Sequence, residues 1–213
     1  MAGKPLIGGT AYDITGGKTL VEGAAYSISG GKTLVDGTEY DISFAAIIPL
    51  PAAGEYLTFS SPNPFTVATS NATKNWDGML EYYDETGHWA TWDGIGAIHS
   101  ITTELGEAVF IRGSVNTVIT GNAAAKKWVI DGSNVSCIGN IESLLDYGVV
   151  ERGDHPSMGN HCYAYMFYGC TSLTRSPSLP ATMLADYCYY YMFYNCTSLC
   201  AIPSLPATTL RQF

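Results

Sequence analysis

The chain has few basic residues. Ten Lys plus Arg stand against nineteen Asp plus Glu, a formal charge of −9, and no three basic residues are consecutive. A nucleic-acid surface works by displacing counterions with a basic stripe, and none is present. Attraction to an anionic membrane surface is excluded on the same ground. No apolar stretch reaches the roughly 18 residues of a membrane span, so no membrane insertion is expected. The opening MAGKPLIGGTAYD lacks the apolar core of a secretory signal. Hydrolase and dinucleotide signatures such as G-x-S-x-G, H-E-x-x-H and the Gly-rich fingerprint are missing. Six cysteines occur, but none at C-x-x-C spacing, so a zinc site lacks its ligand pattern. These absences lead to the expectation of a non-catalytic chain with no metal and no cofactor.

What is present is repetition. Residues 162–187 (CYAYMFYGCTSLTRSPSLPATMLADY) and 188–213 (CYYYMFYNCTSLCAIPSLPATTLRQF) agree at 17 of 26 positions without a gap. Such self-similarity marks stacked units. In each copy the first half carries Cys162, Met166 and Cys170, or their counterparts, at i, i+4, i+8. That spacing predicts one face of a short helix. The second half, with Leu173, Pro177, Leu179 and Pro180, reads as a short strand and an irregular return. The copies differ most at Thr174-Arg175-Ser176 against Cys200-Ala201-Ile202. In a stacked array the framework repeats while exposed positions vary, so these six residues form a candidate ligand-facing strip. Simple drift of the two copies is the competing account.

On the predicted helix, Cys162 and Cys170 would lie ~12 Å apart at about 1.5 Å per residue. A disulfide tolerates roughly 7 Å between Cα atoms. Cysteines at matching places in adjacent copies would sit about 8–10 Å apart if they lay on packed helices. Buried, reduced thiols that act as small apolar ladder residues are therefore expected.

The run from Met166 to Leu199 resembles BspA-type leucine-rich repeats, in which F-x-x-C-x-S-L recurs. The matching residues are Phe167, Cys170, Ser172 and Leu173, then Phe193, Cys196, Ser198 and Leu199. Residues 136–161 lack the motif and read as a cap. The resemblance implies an α/β solenoid segment over residues 136–213, of the kind encoded by gut bacteria and their phages. It also implies adhesion or recognition in place of catalysis.

A second repeat, of period 14, fills residues 6–44: LIGGTAYDITGGKT, LVEGAAYSISGGKT and LVDGTEYDISF. Gly8-Gly9, Glu22-Gly23 and Asp36-Gly37 occupy equivalent turn slots, and Asp-Gly is a strong hairpin dipeptide because both residues tolerate positive φ. One unit is too small to bury its own apolar face and must stack on a neighbour or another chain. The Gly-Gly-Lys-Thr tetrads at 16–19 and 30–33 lack the strand, spacing and helix of a phosphate loop. The pattern resembles short repeats of phage proteins from gut bacteria and, more loosely, the 15-residue units of trimeric viral fibre shafts. Residues 1–45 are accordingly expected to anchor the chain to virion proteins or sister chains, with a homo-oligomer, for instance a trimer, as the assembled form. A hairpin extension packed on a sheet remains the alternative.

Between the repeats, residues 46–135 alternate apolar and polar positions in short runs separated by Gly, Asn and Asp. Segments 78–84, 89–92, 98–103, 108–113, 116–120 and 127–131 read as strands of a β-sandwich. Overall the expected fold is mainly β: N-terminal hairpin repeats, a central sandwich and C-terminal repeats. Trp76, Tyr83, Trp89 and Trp92 offer an aromatic platform for a glycan, weighed against plain core packing. Glu142, Asp146, Glu151, Asp154, His155 and His161 cluster in sequence, as a polysaccharide hydrolase could require, but the solvated-loop reading is preferred. Together these features lead to the expectation of a phage virion structural protein, a tail- or fibre-associated adhesin or capsid decoration that meets a host-surface glycan or protein. A bacterial surface adhesin and a tail-associated glycan hydrolase are the alternatives.

Overall fold

A computed structural model describes residues 48–52, 54–201 and 203–208 and, before residue 48, the backbone of six short strands. The chain divides into two compact units, Met1–Ile47 and Ile48–Phe213. Strand makes up 29% of the chain and helix 8%, so the fold is mainly β.

In the first unit the strands pair as antiparallel hairpins: β1 (Leu6–Ile7) with β2 (Thr10–Ala11), β3 (Lys18–Val21) with β4 (Ala24–Ser27), and β5 (Gly31–Val35) with β6 (Thr38–Ile42). The innermost pairs are Ile7↔Thr10, Val21↔Ala24 and Val35↔Thr38. Each leaves two residues between the strands, at the slots where the sequence places its turns. Those dipeptides lie outside the described residues.

The second unit holds two sheets. Its strands are β7 (Leu57–Ser61), β8 (Thr66–Thr69), β9 (Met79–Tyr83), β10 (Trp89–Trp92), β11 (Ile98–His99), β12 (Ile101–Thr103), β13 (Gly106–Ser114), β14 (Trp128–Asp131), β15 (Val135–Ile138) and β16 (Leu173–Arg175). The larger sheet runs β10-β9-β13-β7-β15-β16, with β12 also paired to β13; the smaller runs β11-β8-β14. Leu57, Phe59, Leu80, Val109 and Ile111 of the first meet Val67, Ile98, Trp128 and Ile130 of the second, and Phe65 just before β8, in one core. This sandwich-like core arises because β-strand side chains alternate between faces. The central strand β13 is buried on both: Val109 and Ile111 enter the inter-sheet core, while Ala108 and Phe110 join Tyr83 and Ile101 behind it.

The 116–120 segment, expected as a strand, is a connection instead. The Asp77 carboxylate accepts the Thr117 and Val118 amides at 2.8 and 3.0 Å, and the Ile119 and Thr120 amides donate to the Cys162 carbonyl. With those groups satisfied, no ladder forms. The 135/136 boundary between sandwich and repeats falls inside β15, which pairs antiparallel with β7 and parallel with β16. The two segments therefore share a sheet and a core.

The helix α1 (Ser143–Glu151) lies on β13. It bends at Asp146 (φ −156°, ψ 101°). The Asp146 carboxylate accepts the Val149 amide at 3.0 Å and so caps the second half of the helix. The approach to β13 requires a glycine at 113, where a Cβ would stand 1.8 Å from the Leu144 carbonyl oxygen.

Candidate functional site

The helix expected over the first half of each 26-residue copy is absent. Residues 161–170 and 187–196 form a train of turns. Backbone φ is positive at His161, Tyr165 and Gly169, and again at Tyr187, Tyr191 and Asn195, a strict four-residue period. The intervening amides close short loops within each copy, Met166 N–H to the Tyr163 carbonyl at 3.1 Å and Cys170 N–H to that of Phe167 at 3.0 Å. In the first copy the alternate amides leave it for the second. Those of Tyr163, Tyr165, Phe167 and Gly169 donate to the carbonyls of Cys188, Tyr190, Met192 and Tyr194 at 2.8–3.0 Å. An α-helix would spend the same amides on carbonyls four residues back. A copy lying alongside offers them a better partner, and Tyr is only a middling helix former. Left-handed backbone at a non-glycine costs roughly 1–2 kcal/mol per residue, and the pairing between copies must offset it. Gly169 and Asn195, both at ease there, are the local signal for this geometry.

In-register stacking makes ring meet ring across the copies. The centroids are 5.8 Å apart for Tyr163–Tyr189, 5.7 Å for Tyr165–Tyr191, 5.6 Å for Phe167–Phe193 and 5.2 Å for Tyr168–Tyr194. Tyr163 and Phe167 face the core. Tyr165, Tyr168, Tyr190, Tyr191 and Tyr194 form a continuous patch, bound by ring contacts of 4.3–5.7 Å. Exposure reaches 37% at Tyr190, 44% at Tyr191 and 55% at Tyr194, so this is an aromatic surface open to solvent. The Lys127 ammonium lies 5.3 Å from the Tyr168 ring.

The tryptophan platform is divided between two faces of the larger sheet. Trp76 (4% exposed) and Trp92 (3%) lie tilted against each other, 5.0 Å apart, inside the core and offer no face to a ligand. Tyr83 is buried behind the sheet, 5.5 Å from Trp89, and the Arg112 guanidinium sits 4.1 Å over the Trp89 ring. Trp76 and Trp92 are thus packed in the inter-sheet cluster and Tyr83 in the cluster behind the sheet, while Trp89 is half-buried beneath the Arg112 guanidinium.

The strip at 174–176 and 200–202 is brought together as far as it is described. The Cys200 amide donates to the Thr174 carbonyl at 3.2 Å, and the Thr174 hydroxyl donates to Val135 at 3.0 Å. Arg175, Cys200 and Ala201 are exposed, Thr174 and Ser176 half-buried, and Ile202 lies outside the described residues.

Five cysteines are buried and unpaired, and Cys200 is exposed. Burial pushes Cys170 up to about 12 and Cys188 to about 11, which removes thiolate character at neutral pH. Among the described residues no group of three metal-binding side chains converges, and no helix is long and apolar enough to cross a membrane.

The sequence-clustered acids take separate tasks. Asp146 caps α1, and Glu151 accepts the Tyr147 hydroxyl at 2.7 Å. Glu142 is not the solvated residue expected: it is 1% exposed, and its carboxylate holds His155 Nδ1 at 2.7 Å. Burial raises the Glu142 carboxyl above its ordinary value, while the hydrogen bond and charge of His155 oppose the rise. Compared with family models, curated proteins and solved structures, the chain matches none.

Proposed function

We propose that the chain is a non-catalytic surface-recognition protein of a phage particle, a tail- or fibre-associated adhesin or capsid decoration. In this reading the hairpin repeats of residues 1–45 fasten it to virion proteins or sister chains. The 26-residue copies, taken as divergent BspA-type repeats, present the surface that meets the host. One observation supports this above the others: stacking of the copies builds an exposed tyrosine patch that neither copy could build alone. Tyrosine supplies large, rigid contact area with a polar tip, as ligand-binding surfaces favour.

The test is adsorption of the labelled chain to candidate host cells, with Tyr191→Ala/Tyr194→Ala as the comparison. Loss of adsorption with an unchanged melting curve is the expected result, and undiminished adsorption would sink the assignment of the tyrosine patch. Immunogold labelling of purified particles tests the location. Label on a bacterial envelope and not on particles would move the protein to the surface-adhesin class.

A further inference from the structure

We propose that the outer face of the second copy is a docking surface for a polypeptide segment of a partner chain, folded as a third turn train and laid on the stack as its next layer. The proposal rests on the recognition reading and names a partner class, protein, for the tyrosine patch. What covers the first copy shows what fits the second. Seven of nine residues agree between 162–170 and 188–196. Positive φ falls at Tyr165 and Gly169 and equally at Tyr191 and Asn195, so the two backbones aim their amides the same way. The Tyr165, Phe167 and Gly169 amides are taken by the carbonyls of Tyr190, Met192 and Tyr194. Their counterparts, the Tyr191, Phe193 and Asn195 amides, meet no acceptor among the described residues. The rings are uncovered with them: Phe167 is fully buried and Phe193 half-buried, Tyr165 and Tyr168 are half-buried, and Tyr191 and Tyr194 are exposed.

The face carries donors only. Every carbonyl from Cys188 to Tyr194 already accepts an amide. Those of Tyr189, Tyr191 and Phe193 take amides from three residues ahead at 3.1–3.2 Å, and the other four take amides of the first copy. A partner must therefore offer a row of carbonyl oxygens at every second residue and no amides. The edge of a β-strand does not fit, because it presents N–H and C=O groups together. A second copy of this chain does not fit either. Two such faces brought together would set donor against donor. The matching acceptor row of its first copy is covered: the Cys162 carbonyl takes the Ile119 and Thr120 amides, that of Ala164 the Thr120 hydroxyl at 2.6 Å, and that of Met166 the Trp128 amide at 2.8 Å. A turn train on another chain supplies the missing row. Aromatic residues on it would stack over Tyr191, Phe193 and Tyr194, as those three rings already stack at 5.2–5.7 Å on Tyr165, Phe167 and Tyr168.

Amide NMR and hydrogen exchange on the full chain test the surface. The probe is a synthetic peptide with the sequence of residues 187–200, and a peptide of the same composition in scrambled order is the control. Such a peptide orders only on binding, so a dissociation constant of roughly 1 mM is expected. At saturation it should shift the Tyr191, Phe193 and Asn195 amides and slow their exchange roughly tenfold, the worth of one hydrogen bond each. The Tyr165, Phe167 and Gly169 amides, already taken, should not move. A second sample joins a further pass of residues 188–213 directly after Phe213, where tethering removes the cost of association, and it should protect the same three amides. If neither layer protects them, the surface is overturned. Protection by the joined copy with a silent peptide would overturn the partner-chain source, and equal shifts with the scrambled peptide would overturn the turn-train fit. If both layers are silent while adsorption still depends on Tyr191 and Tyr194, the partner class fails alone and the recognition reading stands. Peptide binding at these amides without cell adsorption would fail the recognition reading and keep the surface.

Discussion

Phe167 is the side chain on which the shared core should depend. It is fully buried, with its ring 6.2 Å from Phe59 of β7, 6.5 Å from Trp128 of β14 and stacked 5.6 Å from Phe193 of the next copy. It therefore touches both sheets and both repeats. Phe167→Ala removes a ring that the surrounding aromatic side chains cannot collapse to replace, a loss of about 3–5 kcal/mol. For a chain of this size each kcal/mol moves the melting temperature by roughly 2–4 °C, so a fall of about 6–20 °C is expected. The matching Phe193→Ala affects a half-buried ring and should cost only about 1–2 kcal/mol. Urea unfolding followed in parallel by tryptophan fluorescence and far-UV circular dichroism reads the result. If sandwich and repeats share one core, the two signals remain coincident and both move in Phe167→Ala. Refutation would be a fluorescence midpoint that stays in place while the circular dichroism transition splits, or a Phe167→Ala effect no larger than that of Phe193→Ala.

Other consequences are equally direct. Gly113→Ala forces a Cβ to within 1.8 Å of the Leu144 carbonyl oxygen. Backbone must move, so a loss of about 3 kcal/mol or more is expected in denaturant melts, and a neutral outcome would show that α1 does not sit on β13 as described. With five buried thiols and an exposed Cys200, the native chain should react rapidly with one equivalent of a thiol reagent and with six after unfolding. Two or more fast native equivalents would contradict the packing of the copies. Burial raises the Glu142 pKa in the folded state above its ordinary 4.5, against the opposing hydrogen bond and charge of His155. The folded protein then binds that proton more tightly than the unfolded chain. The stability this confers is complete below about pH 4.5 and is lost as pH rises through the folded-state value. The stability of the native chain minus that of Glu142→Gln should accordingly shrink from about pH 4 to pH 7, and a difference that widens would refute the burial effect.

The site residues differ in how far local sequence specifies their surroundings. Strand alternation alone separates Trp89 from Trp92, which stand three residues apart on β10 and must face opposite ways. Composition, which carries no face information, groups the two as one platform. The Glu142–His155 pair spans thirteen residues and the bend at Asp146, so sequence proximity suggested the cluster without revealing which acid was buried. The two copies carry more tyrosines than one small core can bury. Which of them would surface depended on turn geometry.

Three things were determined by the sequence itself. The 26-residue period puts Thr174 beside Cys200 and Tyr165 over Tyr191. Dipeptides tolerant of positive φ mark where the hairpin strands reverse. Alternating apolar residues make the chain mainly β. Only tertiary structure decided between helix and turns at 162–170. The i, i+4, i+8 spacing of Cys162, Met166 and Cys170 serves a helix of period 3.6 and a turn train of period four almost equally well. The choice lay in where the amides of Tyr163, Tyr165 and Phe167 found acceptors. Those acceptors are carbonyls 25 residues ahead, brought within 3.0 Å only when the second copy is in place.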